Sequence, residues 1–301
     1  MIMDKLIRRI EETGFPVVAG LDPMPEYIPD ELKAPHFARL GNTLEALAAA
    51  YLEYNMALID ALCDIVPAVK PQCAYYERIG WQGMRALADT ISYAKQKGMY
   101  VITDGKRNDI GSTMSAYAAA HLGTVEVNGT VCTPFGADAL TVNGYLGSDC
   151  IKPCLEGGKD IFVLCKTSNP SSGELQDLPL DGKPLYCAMG DWCESWGEES
   201  RGEYSYSNVG AVVGATYPAQ LRELRERLPH TFFLVPGYGA QGGAADDVAA
   251  AFDKNGRGAI VNSSRAILCA WKKPGAPKNF AAAAREEALN MGNALRAVTQ
   301  K

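Results

Sequence analysis

The stretch Tyr100-Val101-Ile102-Thr103-Asp104-Gly105-Lys106-Arg107-Asn108-Asp109-Ile110-Gly111-Ser112-Thr113 holds the logic of the fold in one short segment. Its apolar, β-branched start reads as a buried strand. Charged residues come next, and a helix is expected to begin near Ile110. The same unit recurs along the chain. Apolar runs lie at residues 17–21, 68–70, 100–103, 139–142, 161–165, 211–214, 232–235 and 259–261, at intervals too long for hairpins. Helical patterns separate them. The clearest places Leu44, Leu47, Ala48, Tyr51, Leu52, Leu58, Ile59 and Leu62 on one face, and Asn42 followed by Glu45 predicts a capping-box start for it. Buried strands alternating with helices throughout predict an α/β fold with a parallel sheet, and about eight of them predict closure into a (β/α)8 TIM barrel. An open doubly wound sheet is the structural alternative.

Two segments exceed a minimal barrel: the proline-rich residues 23–41 after the first strand, and the polar residues 169–208 after the fifth. The chain is therefore expected to be a single barrel domain, residues 1–301, with residues 169–208 as an insertion that serves as a lid or as surface decoration. At 47% hydrophobic and 21% charged residues, the 301-residue chain can bury a sizeable core without staples. A net charge of −6 argues against a general nucleic-acid or anionic-membrane binder, though not against a local basic pocket. The N-terminus has no apolar core of a secretory signal, and no run is long enough for a membrane span. Nine cysteines without a C-x-x-C pair suit buried thiols in a reducing cytoplasm. His36, His121 and His230 are widely separated and show no metal-ligand spacing, so no metal site is expected.

The residues at the strand ends point to chemistry. Asp22 ends the first run, Lys70 the second, Asp104 and Lys106 the third. Thr167-Ser168-Asn169 come after the fifth, Pro236-Gly237 after the seventh, and Ser264-Arg265 after the eighth. A parallel barrel gathers all of these at its C-terminal mouth, where active sites are built. Singly, each has a plain structural explanation: Asp22 as a turn cap, Lys70 as a solvated strand end, Asp109 as a helix N-cap. Together they make a row, Lys70, Asp104, Lys106, Asp109, in which opposite charges alternate and so offset the cost of desolvation. On extended chain, Asp104 and Lys106 point to the same face. The segment Pro236-Gly237-Tyr238-Gly239-Ala240-Gln241-Gly242-Gly243 formally contains G-x-G-x-x-G, but no carboxylate stands after the next strand, where Ser264 and Arg265 are found instead. A single phosphate, held by glycine-rich backbone N–H groups and the Arg265 fork, suits this better than a dinucleotide.

Asp104-x-Lys106-x-x-Asp109-Ile110-x-x-Thr113 resembles the signature of the orotidine 5'-phosphate decarboxylase family. Gly20-Leu21-Asp22-Pro23, Val235-Pro236-Gly237-x-Gly239-Ala240-Gln241 and Ser264-Arg265 are similar to its other blocks, in order and across almost the whole chain. The length, the Gly20-Leu21-Asp22-Pro23 opening and the insertion after Thr167-Ser168-Asn169-Pro170 resemble its longer bacterial branch. The resemblance implies decarboxylation of orotidine 5'-phosphate to uridine 5'-phosphate (UMP) without a cofactor. It implies that Asp22 and Lys70 bind the ribose, that Asp104 and Lys106 flank the scissile carboxylate, and that Lys106 protonates C6. It further implies that Asp109, Ile110 and Thr113 complete the pocket of a second subunit in a homodimer, that Ser168 reads the pyrimidine, and that Pro236, Gly237, Gln241, Ser264 and Arg265 line the base and phosphate site.

Two other readings compete. The magnesium-dependent 3-keto-L-gulonate 6-phosphate decarboxylases look alike in fold and share the D-x-K-x-x-D core, but carry a carboxylate ligand at the end of the second strand. Here that residue is Lys70, which repels a divalent cation. The other is a non-catalytic barrel that binds nucleotide phosphates.

Overall fold

The computed structural model describes residues 2–239 and 244–299. Eight parallel strands close into a barrel: β1 Val17–Leu21, β2 Ala68–Pro71, β3 Tyr100–Arg107, β4 Ala139–Val142, β5 Asp160–Lys166, β6 Val209–Val213, β7 Phe233–Val235 and β8 Ala259–Ser263. Each pairs with its neighbours in sequence, and β8 pairs with β1. The chain is a TIM barrel, and every apolar run expected as a strand forms one.

The period-2 alternation of strands divides the apolar residues between two cores. Val18, Ala68, Tyr100, Ile102, Ala139, Phe162, Val212, Leu234 and Ile260 fill the barrel interior. Their sequence neighbours, among them Val17, Val69, Val101, Leu140, Val163, Ala211 and Val261, face the surrounding helices. The N-terminal helix Ile2–Thr13 packs Met3, Leu6 and Ile7 into the interior cluster and so stoppers one end of the barrel. The other end carries the strand-end charges.

The long helix Leu44–Leu62 forms on the expected face, but its cap is Thr43, whose hydroxyl accepts from Ala46 N at 3.2 Å, and not Asn42. The stretch expected as one polar insertion, residues 169–208, divides in two. Its second half contains the helix Leu185–Trp196, which buries Tyr186, Cys187, Ala188, Gly190 and Cys193 against β5 and β6 and is thus a barrel helix. The excursion proper is residues 169–184, with a short hairpin, Pro179–Leu180 with Lys183–Pro184. A second unanticipated hairpin pairs Val125–Val127 with Thr130–Cys132. Among the described residues no helix is long and apolar enough to cross a membrane.

His121 is 3% exposed and stacks on Phe135 with ring centroids 5.1 Å apart. Burial, helped by the Arg107 charge, lowers its pKa from 6.5 to about 4. Between those two pH values the unfolded chain binds a proton that the folded chain refuses, so this group's stability contribution is full above pH 6.5 and is lost as pH falls toward 4. A His121→Phe variant is expected to remove a pH-dependent term on the order of 3 kcal/mol from that window. Urea unfolding of both proteins at pH 7 and pH 4.5 measures it; an unchanged difference between them at the two pH values refutes the assignment.

Candidate active site

Asp104 is the centre of the mouth. It is 6% exposed, so its charge survives only if paired. Lys70, rising from β2, donates to Oδ2 at 2.7 Å, and Lys106 donates to Oδ1 at 2.7 Å. Gln72 Nε2 donates to Oδ2 at 3.0 Å and Thr141 Oγ1 to Oδ1 at 2.8 Å. Burial pushes this carboxyl up, but Lys70 and Lys106 outweigh it and hold it well below the ordinary carboxylate range. Burial likewise opposes the charge on Lys70, and Asp104 with Asp22 overcomes it, leaving the ammonium's pKa raised.

The geometry at Lys106 differs from simple extended chain. Strand β3 breaks register with β4 between Thr103 and Arg107, and Lys106 has φ 46°, in the left-handed region. A non-glycine residue there stores strain on the order of 1 kcal/mol or more, which the Lys106 N–H to Thr141 Oγ1 bond at 2.9 Å helps to hold. The bulge aims the lysine back at Asp104.

Of the expected charge row, three members meet and the fourth does not. Asp109 is half-buried and its carboxylate accepts from Ile110 N at 2.8 Å; the N-cap position of the helix Gly111–His121 belongs to Ile110, so Asp109 is not the helix cap. Ile110 and Thr113 are exposed, and none of the three lines either of the two cavities described below.

Two cavities adjoin at Pro236. The larger, about 450 Å³, is floored by Lys70, Asp104, Lys106 and Thr141, walled by Leu164, Val212 and Leu234, and edged by Thr167, Ser168, Asn169 and Gln176. The smaller, about 290 Å³, is bounded by Asp22, Tyr27, Tyr75, Gly237, Tyr238, Asn262, Ser264 and Arg265. Asp22 Oδ1 and Asn262 Oδ1 are buried there without a hydrogen-bond partner among the described residues. Burial raises the Asp22 pKa, opposed by Lys70 and by Ser264. Two unsatisfied acceptors call for hydroxyl or N–H donors from a ligand. Gly20 makes the arrangement possible, since a Cβ there would fall 1.9 Å from Ser264 Oγ. Gln241 lies outside the described residues.

The arrangement thus joins Lys70, Asp104, Lys106, Ser168 and Pro236 in one lobe, and Asp22, Gly237, Ser264 and Arg265 in the other. Sequence reasoning missed Gln72, Thr141 and Asn262. Thr141 and Asn262 each stand two residues beyond an inward-facing residue, Ala139 and Ile260, so strand alternation carried the signal. Among the described residues no group of three or more His, Cys, Asp or Glu side chains is placed to hold a metal ion.

Comparison with known proteins gives the same picture. A family model described as "Orotidine 5'-phosphate decarboxylase / HUMPS family" matches residues 16–278. A Rhodopirellula baltica protein named orotidine 5'-phosphate decarboxylase is 48% identical over 294 residues, 96% of this chain and 93% of that one. A protein of the same name from Clostridium perfringens is 40% identical over 301 residues, covering 98% of each chain. The structure of Leishmania donovani OMP decarboxylase superposes with a TM-score of 0.75 at 29% identity, over 100% of this chain and 99% of that one.

Proposed function

The chain belongs to the orotidine 5'-phosphate decarboxylase / HUMPS family, and from that premise we propose that it decarboxylates orotidine 5'-phosphate to UMP and CO2, the last step of de novo UMP biosynthesis. The observation that carries this reading is the buried Asp104 carboxylate gripped by two ammonium groups, each at 2.7 Å, on the floor of a cavity that adjoins a second lobe bounded by Asp22, Ser264 and Arg265.

The substrate's phosphate goes to the Gly237, Ser264 and Arg265 side, with Gln241 as a further contact. Its ribose hydroxyls donate to the unsatisfied oxygens of Asp22 and Asn262, with Lys70 between ribose and Asp104. The pyrimidine occupies the larger lobe under Ser168. Its carboxylate then lies against Asp104 and its C6 against Lys106. When the C6–carboxylate bond breaks, CO2 leaves and the electron pair stays on C6, in an orbital perpendicular to the ring π system that the ring cannot delocalise. A fixed cation beside C6 stabilises that pair, and the same ammonium then gives it a proton, regaining one from water. The reading is cofactor-free: Lys106 supplies both the charge and the acid. Contacts at the remote phosphate contribute binding energy that is used at the reacting carbon.

Lys70 separates this reading from the magnesium-dependent relatives, because its ammonium occupies the strand-end position a carboxylate ligand would need. A spectrophotometric assay with orotidine 5'-phosphate, with and without EDTA, tests the proposal. Turnover insensitive to the chelator is expected. Loss of activity with EDTA would reinstate the metal-dependent reading, and tight UMP binding without CO2 release would reinstate the non-catalytic one.

We further place Asp109, Ile110 and Thr113 in the partner subunit's site of a homodimer. Exposed apolar side chains support that face: Trp81 is 67% exposed, Ile110 59% and Tyr145 71%, and they lie beyond the ends of the adjacent strands β2, β3 and β4. Separately inactive Lys106→Ala and Asp109→Ala proteins, mixed under exchange, are expected to recover about a quarter of wild-type activity, because half of random dimers carry one intact site. No recovery on verified exchange refutes a shared site. The nine free cysteines fit a reducing cytoplasm as the place of work.

A further inference from the structure

Lys166 closes strand β5 with its side chain entirely buried, yet it lines neither cavity. A buried ammonium is costly unless it is compensated. Its Nζ donates to Asp177 Oδ1 at 2.6 Å and to Ser172 Oγ at 3.2 Å, and lies 4.6 Å from the ring centre of Tyr217 and 5.6 Å from that of Tyr186. Asp177 and Ser172 belong to the segment that leaves the barrel after β5. The same segment is tied at further points. Gln176 accepts from Thr167 N at 2.9 Å and donates to Thr167 Oγ1 at 2.8 Å. Tyr217 donates to Asn169 O at 3.2 Å, and Ser172 Oγ donates to the Tyr217 hydroxyl at 3.3 Å. Gly214 lets this segment approach, since a Cβ there would sit 2.9 Å from the Ser168 backbone.

Thr167, Ser168, Asn169 and Gln176 are the polar residues of the larger lobe opposite the charged floor, and all four come from this one segment. We propose that Lys166 is a positioning residue for base recognition: the ammonium buried behind residues 167–177 folds them into the one conformation in which their polar groups meet the amide edge of a pyrimidine. The inference rests on the decarboxylase reading for the identity of the base. A cation serves better than a neutral side chain because it draws in a carboxylate, a hydroxyl and two aromatic faces at once.

The test compares wild type with Lys166→Met, Lys166→Arg and Asp177→Asn. Asp177 is 46% exposed, so its variant retains the fold if Lys166→Met does not. Calorimetric titration with UMP and with ribose 5-phosphate separates base recognition from phosphate binding. Lys166→Met and Asp177→Asn are expected to weaken UMP binding and kcat/KM by about 10²-fold through misplacement of the segment, with ribose 5-phosphate affinity within about twofold of wild type. Lys166→Arg is expected to rescue part of the loss. Equal weakening of both ligands, or UMP binding unchanged in Asp177→Asn, overturns the proposal. If wild type binds UMP but releases no CO2, the decarboxylase reading fails, while the UMP comparison still reads the role of Lys166.

Discussion

A Lys106→Ala protein is expected to lose orotidine 5'-phosphate decarboxylation by about 10⁴-fold or more in kcat, because on the proposed mechanism one substitution removes both the fixed charge and the proton donor. The loss in folding stability should be small by comparison. Lys106 is 45% exposed, and Asp104 keeps three other donors, Lys70, Gln72 and Thr141. One hydrogen bond lost from a carboxylate that remains satisfied costs about 1–2 kcal/mol. The backbone strain at φ 46° is untouched by alanine, whereas Lys106→Gly should relieve about 1 kcal/mol of it. The glycine variant is therefore expected to be as inactive as the alanine variant but more resistant to urea. Steady-state CO2 release and equilibrium unfolding on the same preparations check both statements. An alanine variant that turns over at the wild-type rate ends the assignment of Lys106; one that is inactive only because it is unfolded leaves it without support. The strained lysine then has a reason to persist, since a left-handed residue at this bulge is what returns the ammonium to the carboxylate.

How far the sequence speaks for itself depends on which force sets each feature. The eight strands were legible because burial on both faces leaves short, nearly continuous apolar runs, and the mouth was legible because topology alone brings strand ends together. The helix Leu185–Trp196 was hidden by its polar flanks, although Tyr186, Cys187 and Cys193 carry its buried stripe. Both small hairpins, unanticipated from the sequence, nevertheless carry a readable turn. Asn128-Gly129 and Asp181-Gly182 are the dipeptides that accept positive φ at two successive positions, and the chain has φ 50° and 81° at the first pair and 51° and 79° at the second. Gln72 and Lys166 were less accessible. Gln72 falls beyond its strand, and the importance of Lys166 comes from Tyr217 and Asp177, which only the folded chain brings to it. Asp109 shows the opposite limit: a residue can match a motif and still line neither cavity of the folded chain.

Lys70 is expected to be the most consequential position for stability as well as for catalysis. It is 4% exposed and stands between two carboxylates, Asp104 at 2.7 Å and the half-buried Asp22. Truncation to alanine leaves those charges without their shared cation and should cost about 3–5 kcal/mol at neutral pH, with decarboxylation abolished. The pH dependence is set by the signs of the shifts. The Asp104 pKa is depressed in the folded wild type, so its contribution is full above about pH 3.8 and is lost as pH falls below that. The Lys70 pKa is raised, so its contribution is full below about pH 10.5 and is lost as pH climbs past that. These two contributions thus persist on both sides of neutrality. In Lys70→Ala neither carboxyl has the Lys70 charge to oppose its burial, protonation relieves them, and the deficit against wild type should shrink as pH is lowered from 7 toward 4.5. A deficit that stays constant with pH would mean that lost packing, not charge, is responsible. The double variant Lys70→Met with Asp104→Leu sharpens the point. Exchanging a buried ion pair for apolar side chains of similar volume is often neutral or stabilising, so the double variant should recover most of the stability lost by Lys70→Ala and none of the activity. If it does, the pair is maintained for what it does to a substrate carboxylate; if the double variant is as unstable as the single one, the pair is structural, and Asp104 needs another explanation for its place beside Lys106.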